Sequence, residues 1–538
     1  MKNFKILFSF LIFSTLLTIF SSCNETKKEE NRTAADAVDK SGNLSIGWAQ
    51  ADITPDKPVL IAGQFHARVS EGVMDPVTAT VLVLESGSGE SSEKVFLISC
   101  DLVGISDGTR DDPEGNLRNT IREKITGKIP EVSPEKIFIN ATHTHTAPYC
   151  NTAISSQELY GVELEVMSPA ECIQFVAGNI SEAAEQAWET RIPGGISFGL
   201  GHAVVGHNRL QTDINGNSQM YGNTDKPEFS HIEGYEDHSV NLLYTWDKQD
   251  NLTGVVVNVP CPSQVTEGLF VISADYWHDT RVEIRKRLGE DIFILPQCGP
   301  AGDQSPHIMI GERAEARMQK LKFPELEKVG DRTAGLRKDI AVRIADAVTS
   351  VLPYMKNSID WNPTLKHKLE IVELSRRLIG PEDVNEGMRE SEKWKKEYNK
   401  LLDEIKENPA LKEKPRWYTP ITIAHTRMRR GNNVRDRYEL EKVQPKMPVE
   451  VHILRVGDIV IATNPFEYYL DYGMRIKARS SAIQTFLVQL TGSGSYIPTI
   501  RSIEGGAYGA VPASTLIGPE GGQELVERTL ELIEEIMN

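Results

Sequence analysis

Cysteine is scarce in this chain. Six occur in 538 residues, and no two stand in a Cys-x-x-Cys spacing, which excludes a thiolate zinc ribbon and a dense disulfide framework. Cys23 follows an apolar N-terminal segment, leaving Cys100, Cys150, Cys172, Cys261 and Cys298. Five is odd, so at least one thiol stays free, and Cys150 with Cys172 is a pair that could bridge. Positive charge is also short, with 59 Lys and Arg against 76 Asp and Glu and a formal net charge of −17. No basic face is available for phosphates, which excludes nucleic acid and an anionic membrane surface as partners. Internal repeats and low-complexity tracts are absent, so a solenoid is excluded.

The uncharged apolar run from Ile6 to Phe20 is short for a membrane span. Lys2 and Lys5 precede it and Ser21-Ser22-Cys23 closes it, the pattern of a secretory signal with a lipoprotein-type cysteine. The expectation is a signal peptide over 1–22, lipidation at Cys23 and a polar tether over 23–43. This places the protein in a bacterial cell envelope, touching the membrane only through its N-terminal lipid. Overall composition, 40% hydrophobic and 25% charged, is that of an ordinary globular protein.

From Leu44 onward, strands and helices are mixed. Val77 to Leu84, Lys94 to Ser99, Ile137 to Ile139, Val240 to Trp246, Gly254 to Val259 and Ile459 to Thr463 read as apolar strands. Glu171 to Trp188 carries Ile173, Val176, Ile180, Ala184 and Ala187 on one helical stripe, and Ser273 reads as the N-cap of a helix from Ala274 to Leu288. Trp394, Tyr398, Leu401, Leu402 and Ile405 recur at helical spacing and read as packing. They fall in a helical insertion at about 381–415, and the basic run Arg427–Arg437 reads as a solvated or substrate-rim loop. The expected fold is mixed α/β (α+β), one large catalytic domain over 44–538 with sheets flanked by helices.

The most informative stretch is Ile-Phe-Ile-Asn-Ala-Thr-His-Thr-His-Thr-Ala-Pro, 137–148. If the strand continues, His143 and His145 point to one side, where one imidazole can ligate metal and the other carry a proton. Other unusual polar residues also follow apolar strands: Gly302-Asp-Gln-Ser-Pro306, Asn464-Pro-Phe-Glu467, Gly494-Ser-Tyr-Ile-Pro-Thr499 and Gly505-Gly-Ala-Tyr508. Together with Asp52-Ile-Thr-Pro55 these segments resemble, in the same order, the motifs of the neutral/alkaline non-lysosomal ceramidases. That resemblance implies a zinc-dependent amidase cleaving ceramide or another N-acylated amine, a small-molecule or lipid substrate. It implies His143, Glu467 and Tyr496 as zinc ligands, His145 as acid/base and Tyr508 as the oxyanion partner. Ser305 matches the family's active-site serine, as attacking group or as a positioner, with Asp303 beside it.

The resemblance breaks at Asn258-Val-Pro-Cys-Pro-Ser-Gln264, where the family has a second ligating histidine. Pro262 stands in its apparent place and cannot ligate. Cys261 could take over as a thiolate ligand or be a small buried hydrophobe, three protein ligands could suffice, or metal could be lost. Asp101 is a candidate support for the site, and Arg68, His66 and Arg209 are candidates for its substrate rim. The family's C-terminal immunoglobulin-like domain is not expected here. Two other readings stay open: a surface lipoprotein hydrolase acting on glycans or their substituents, and a catalytically inactive binding lipoprotein.

Overall fold

A strand that is apolar on both faces must be covered on both sides, and this requirement decides the architecture. In Thr78–Ser86 the residues Val81 and Val83 enter one core, and Leu82 and Leu84, pointing the other way, enter a second. Leu252–Val259 repeats the division, with Val255 and Val257 on one side and Val256 on the other. The structure, a computed structural model, describes residues 40, 42–87, 92–109, 112–326 and 331–538. The expected signal segment, Cys23 and nearly all of the tether lie outside the described residues.

One sheet has eight strands in the order Phe293–Cys298, Leu252–Val259, Ser239–Asp247, Ile192–His202, Leu44–Asp52, Thr78–Ser86, Glu93–Cys100 and Ile137–Ala141. A second has four, Leu365–Ser375, Lys446–Val456, Ile459–Thr463 and Gln484–Val488. The sheets meet face to face, with Leu82, Leu97, Leu243 and Val256 of the first packed on Leu454, Ile461 and Phe486 of the second. Helices Leu117–Lys128 and Pro169–Glu189 cover one half of the large sheet's outer face, and Tyr276–Leu288 and Ala334–Met355 cover the other half. Leu470–Arg479 and Pro519–Met537 cover the small sheet. The result is a four-layer α/β/β/α arrangement, and Lys40–Asn538 is one compact unit.

Most neighbouring strands are antiparallel. Within these two sheets the exceptions are Glu93–Cys100 with Ile137–Ala141, Leu252–Val259 with Phe293–Cys298, and Ile459–Thr463 with Gln484–Val488. Parallel neighbours need long crossovers, and they bring the loops after their carboxyl ends together. Those loops hold His143, Gln264, Ser305, Glu467 and Tyr496.

Three local expectations differ from the structure. Ser273 is not the helix cap: its hydroxyl donates to Asp75 at 2.7 Å, and Asp275 caps Tyr276–Leu288. The helical insertion is a pair, Pro381–Glu407 and Thr419–Val443, so the basic run Arg427–Arg437 lies inside a helix rather than a loop. Gly431 lets the pair close, since a Cβ there would lie 2.3 Å from the Gly387 carbonyl oxygen across it. Cys150 and Cys172 are free thiols whose sulfurs lie 2.8 Å apart.

Candidate active site

The strand that leads to the histidines ends at Ala141. His143 has φ +64°, a left-handed conformation that costs a non-glycine residue on the order of 1 kcal/mol. The two imidazoles therefore converge because the chain turns at His143, not because an extended strand alternates. Their Nε2 atoms are 3.3 Å apart. The turn is held from below by Asp101, whose carboxylate takes Arg281 in a bidentate pair at 2.7 and 3.0 Å. It also accepts from Thr78 and lies 3.4 Å from the Thr142 hydroxyl.

The proton positions follow from the partners. His143 Nδ1 is 2.5 Å from the Val103 carbonyl; a carbonyl only accepts, so Nδ1 carries a hydrogen, and in the neutral ring Nε2 holds the lone pair. Gln264 is oriented by Arg209, which donates to its Oε1 at 3.0 Å. The Gln264 amide nitrogen then donates to His145 Nε2 at 2.8 Å, and the His145 hydrogen sits on Nδ1, 3.8 Å from Glu267. The His145 ring rests on Gly63, where a Cβ would fall 2.5 Å from its Cγ. Burial, then His143, Arg68 and Arg209, hold His145 well below the usual histidine range, so it is neutral at pH 7.

Backbone pairing places the carboxylate beside the phenol. Glu467–Tyr468 and Tyr496–Ile497 pair in parallel with Glu467 opposite Tyr496, and opposite residues on paired strands present neighbouring side chains. Glu467 Oε2 lies 3.5 Å from His143 Nε2 and 3.9 Å from Arg209. Burial opposes its charge, but His143 in its protonated form, Arg209 and the Tyr496 hydroxyl together hold it below the ordinary carboxylate range. Burial, then Glu467, raises Tyr496 well above the ordinary phenol range.

Two electron-pair donors, His143 Nε2 and Glu467 Oε2, thus face each other at 3.5 Å, with the Tyr496 oxygen beside them. That spacing matches two ligands on one tetrahedral ion with bonds of about 2.0–2.1 Å. The set fits a divalent cation with three protein donors and an open position. Among the described residues no group of three or more His, Cys, Asp or Glu side chains is arranged to hold a metal; here the third donor is a phenol. Cys261 is not brought in. Its thiol lies in the core with Val205, Val259 and Tyr276, and points at the neighbouring Pro262 carbonyl at 3.5 Å. Burial pushes the thiol up.

Arg209 was expected at the rim but is at the centre. It is buried and spans Gln264, Tyr221, the Gly302 carbonyl at 2.9 Å and Tyr496 at 3.4 Å. Burial works against its charge, while Tyr221, Tyr496 and Glu467 keep the guanidinium protonated. Arg68 is also buried rather than at a rim, and donates to the carbonyls of Ala62, His145, Glu267 and Leu269. His66 is half-buried, with its ring 6.1 Å from Phe270.

Ser305 Oγ accepts from the His307 backbone N–H at 3.1 Å and lies 3.2 Å from the Tyr221 hydroxyl. No imidazole bonds to it among the described residues. Asp303 is a pin: its carboxylate accepts from Leu470 N at 2.9 Å and from Asn208 at 2.8 Å, and burial raises it to about 6. Tyr508 stands edge-on to Tyr496, with ring centroids 5.8 Å apart. Gln264, Glu267, Tyr221 and His307 escape sequence reasoning. Gln264 alone carries a readable signal, being two residues from the proline assigned to the missing histidine.

No family model matches the sequence and no curated protein matches it. Solved structures do resemble the chain, among them two ceramidases. Neutral ceramidase from Pseudomonas aeruginosa superposes with a TM-score of 0.61 at 16% identity, covering 92% of this chain and 75% of its own. A structure described as ceramidase complexed with C2 gives 0.59 at 16% identity, covering 92% and 76%. Over nine-tenths of its length, this chain has the fold of a neutral ceramidase.

Proposed function

We propose that this protein is a zinc-dependent hydrolase cleaving the amide bond of ceramide or another N-acylated amine. His143, Glu467 and Tyr496 would hold the metal. The observation that carries the reading is the facing pair His143 Nε2 and Glu467 Oε2 at 3.5 Å, within a fold like that of neutral ceramidase. Zinc held there supplies a Lewis acid beside the amide carbonyl.

The chain's own groups supply the rest. As substrate and water enter, the Gln264 amide, which holds the His145 Nε2 lone pair at 2.8 Å, gives way to the attacking water. Neutral His145 then takes the water proton at Nε2 and returns it to the departing amine nitrogen. Gly63 beneath the ring and Arg68 on its carbonyl keep the imidazole in place. Tyr508 donates to the oxyanion that develops on the carbonyl oxygen, a contribution of about 3–4 kcal/mol for one such donor. Arg209 keeps Glu467 anionic and Gln264 turned toward His145. Ser305, bonded to the His307 N–H and with no imidazole partner among the described residues, positions substrate and water in this scheme. The lipid anchor at Cys23 and an envelope location belong to the same reading.

The test is release of free amine from N-acyl amines, N-acyl sphingoid bases included, by purified wild type and His145→Ala. Hydrolysis by the wild type with a loss of at least a thousandfold in the variant supports the reading. No release from any N-acyl amine by metal-loaded wild type would overturn it.

A further inference from the structure

The stripe on Pro381–Glu407 that reads as uniform packing divides in two. Tyr398, Leu401, Leu402 and Ile405 pack on Leu60, Tyr160, Tyr418 and Ile421. Trp394, one turn earlier, stands outside that cluster. It lines a cavity of about 380 Å³ with Phe65, Tyr508, Glu386, Arg427 and Arg430. Tyr508 belongs both to this cavity and to the active site: its ring is 5.8 Å from that of Tyr496 and meets Phe65 edge-on at 5.6 Å. Tyr508 is therefore a wall that the cavity shares with the candidate active site.

Its chemistry is mixed in a specific way. Arg427 lies over the Trp394 ring at 4.7 Å and Arg430 over the Tyr508 ring at 4.8 Å, and among the described residues neither guanidinium has a carboxylate partner. Glu390 accepts from Trp394 Nε1 at 3.2 Å, and Glu386 has no hydrogen-bond partner among the described residues. A bare acyl chain would strip water from these charges without replacing it. An anionic group would face three carboxylates, Asp383, Glu386 and Glu390. Hydroxyls both donate and accept, so they satisfy Glu386 and the arginines together, while the C–H face of a ring packs on Trp394 and Phe65.

We propose that this cavity is a specificity pocket for the amine portion of the substrate, and that it takes a hydroxyl-bearing, sugar-like ring. The proposal rests on the N-acyl amine hydrolase reading given above. Two probes differ only in the hydroxyl-bearing ring: N-octanoylglucosamine and N-octanoylcyclohexylamine. Binding is measured by calorimetry on the full chain carrying His145→Ala, so that turnover does not interfere. The sugar amide is expected to bind at least tenfold tighter, and Trp394→Ala or Glu386→Gln, added to that background, is expected to abolish the preference. Glu386 is exposed, so its variant reports on the pocket without risk to folding.

Equal affinities in the parent, or a preference that survives both substitutions, would overturn the pocket. The hydrolase reading fails separately. If wild type cleaves neither probe while the binding preference and its loss are seen, the pocket stands and the chemistry falls. If wild type cleaves both with equal kcat/KM, the chemistry stands and the pocket falls.

Discussion

Arg281→Met probes the foundation on which the histidine turn rests. Asp101 has no exposed side-chain surface and Arg281 only 5%, and they are joined at 2.7 and 3.0 Å. Removing the cation leaves a buried carboxylate uncompensated, which costs about 3–5 kcal/mol. The Thr78 N–H and hydroxyl, at 2.9 and 3.0 Å, still donate to Asp101, so the loss belongs at the lower end, about 3 kcal/mol. Asp101→Asn in the same chain removes the charge but keeps an oxygen for Thr78, and should recover about 2 kcal/mol as a coupling energy. Urea unfolding at pH 7 with unchanged slope reads each midpoint. A single variant within about 1 kcal/mol of wild type, or a double variant as unstable as the sum of the singles, would refute the argument that this buried pair holds the turn.

Other consequences can be tested in parallel. Gly63→Ala puts a methyl 2.5 Å from His145 Cγ at a residue whose φ is +99°; amide hydrolysis should fall at least tenfold, and urea unfolding should show a loss of about 1 kcal/mol or more. Tyr508→Phe should lower kcat about a hundredfold with KM little changed, as steady-state kinetics would show. Burial, then His452, Lys136 and Arg122, lowers His367 from 6.5 to about 3. Its folded pKa is depressed, so the unfolded chain binds the extra proton. Stability is then full above pH 6.5 and is lost as pH falls toward 3, and His367→Phe should flatten that slope in urea titrations. Gly431→Leu should wedge apart the helices that meet at Gly387, raising protease cleavage within 381–443 before cleavage elsewhere.

Much of the fold was legible because strands such as Thr78–Ser86 and Leu252–Val259 are apolar on both faces, and a long run of that kind has few other fates. Leu365–Ser375 was not legible: it lies at one end of its sheet, and its charged residues Lys366, Glu370 and Glu373 break the apolar pattern. The second insertion helix was missed because the Arg427–Arg437 run is dense in charge and carries no apolar stripe, and so read as a solvated or substrate-rim loop. At the site, His143, His145, Glu467, Tyr496 and Tyr508 were singled out because their flanking motifs are distinctive. Arg209 and Arg68 were placed at the rim because arginine is rarely buried, yet each is satisfied by partners distant in sequence. Glu267, Tyr221 and His307 sit in unremarkable contexts, and only the meeting of loops from different strands gives them a role.

The central claim is that an imidazole, a carboxylate and a phenol from three separate loops hold one zinc ion. Elemental analysis of the purified protein tests it most directly, comparing wild type with His143→Ala and Glu467→Gln after dialysis against a weak chelator. The account predicts about one zinc per wild-type chain, with far less in either variant, since a catalytic site of three protein ligands cannot spare one. Wild type that holds no zinc at saturating supply, or variants that hold as much as wild type, would contradict it.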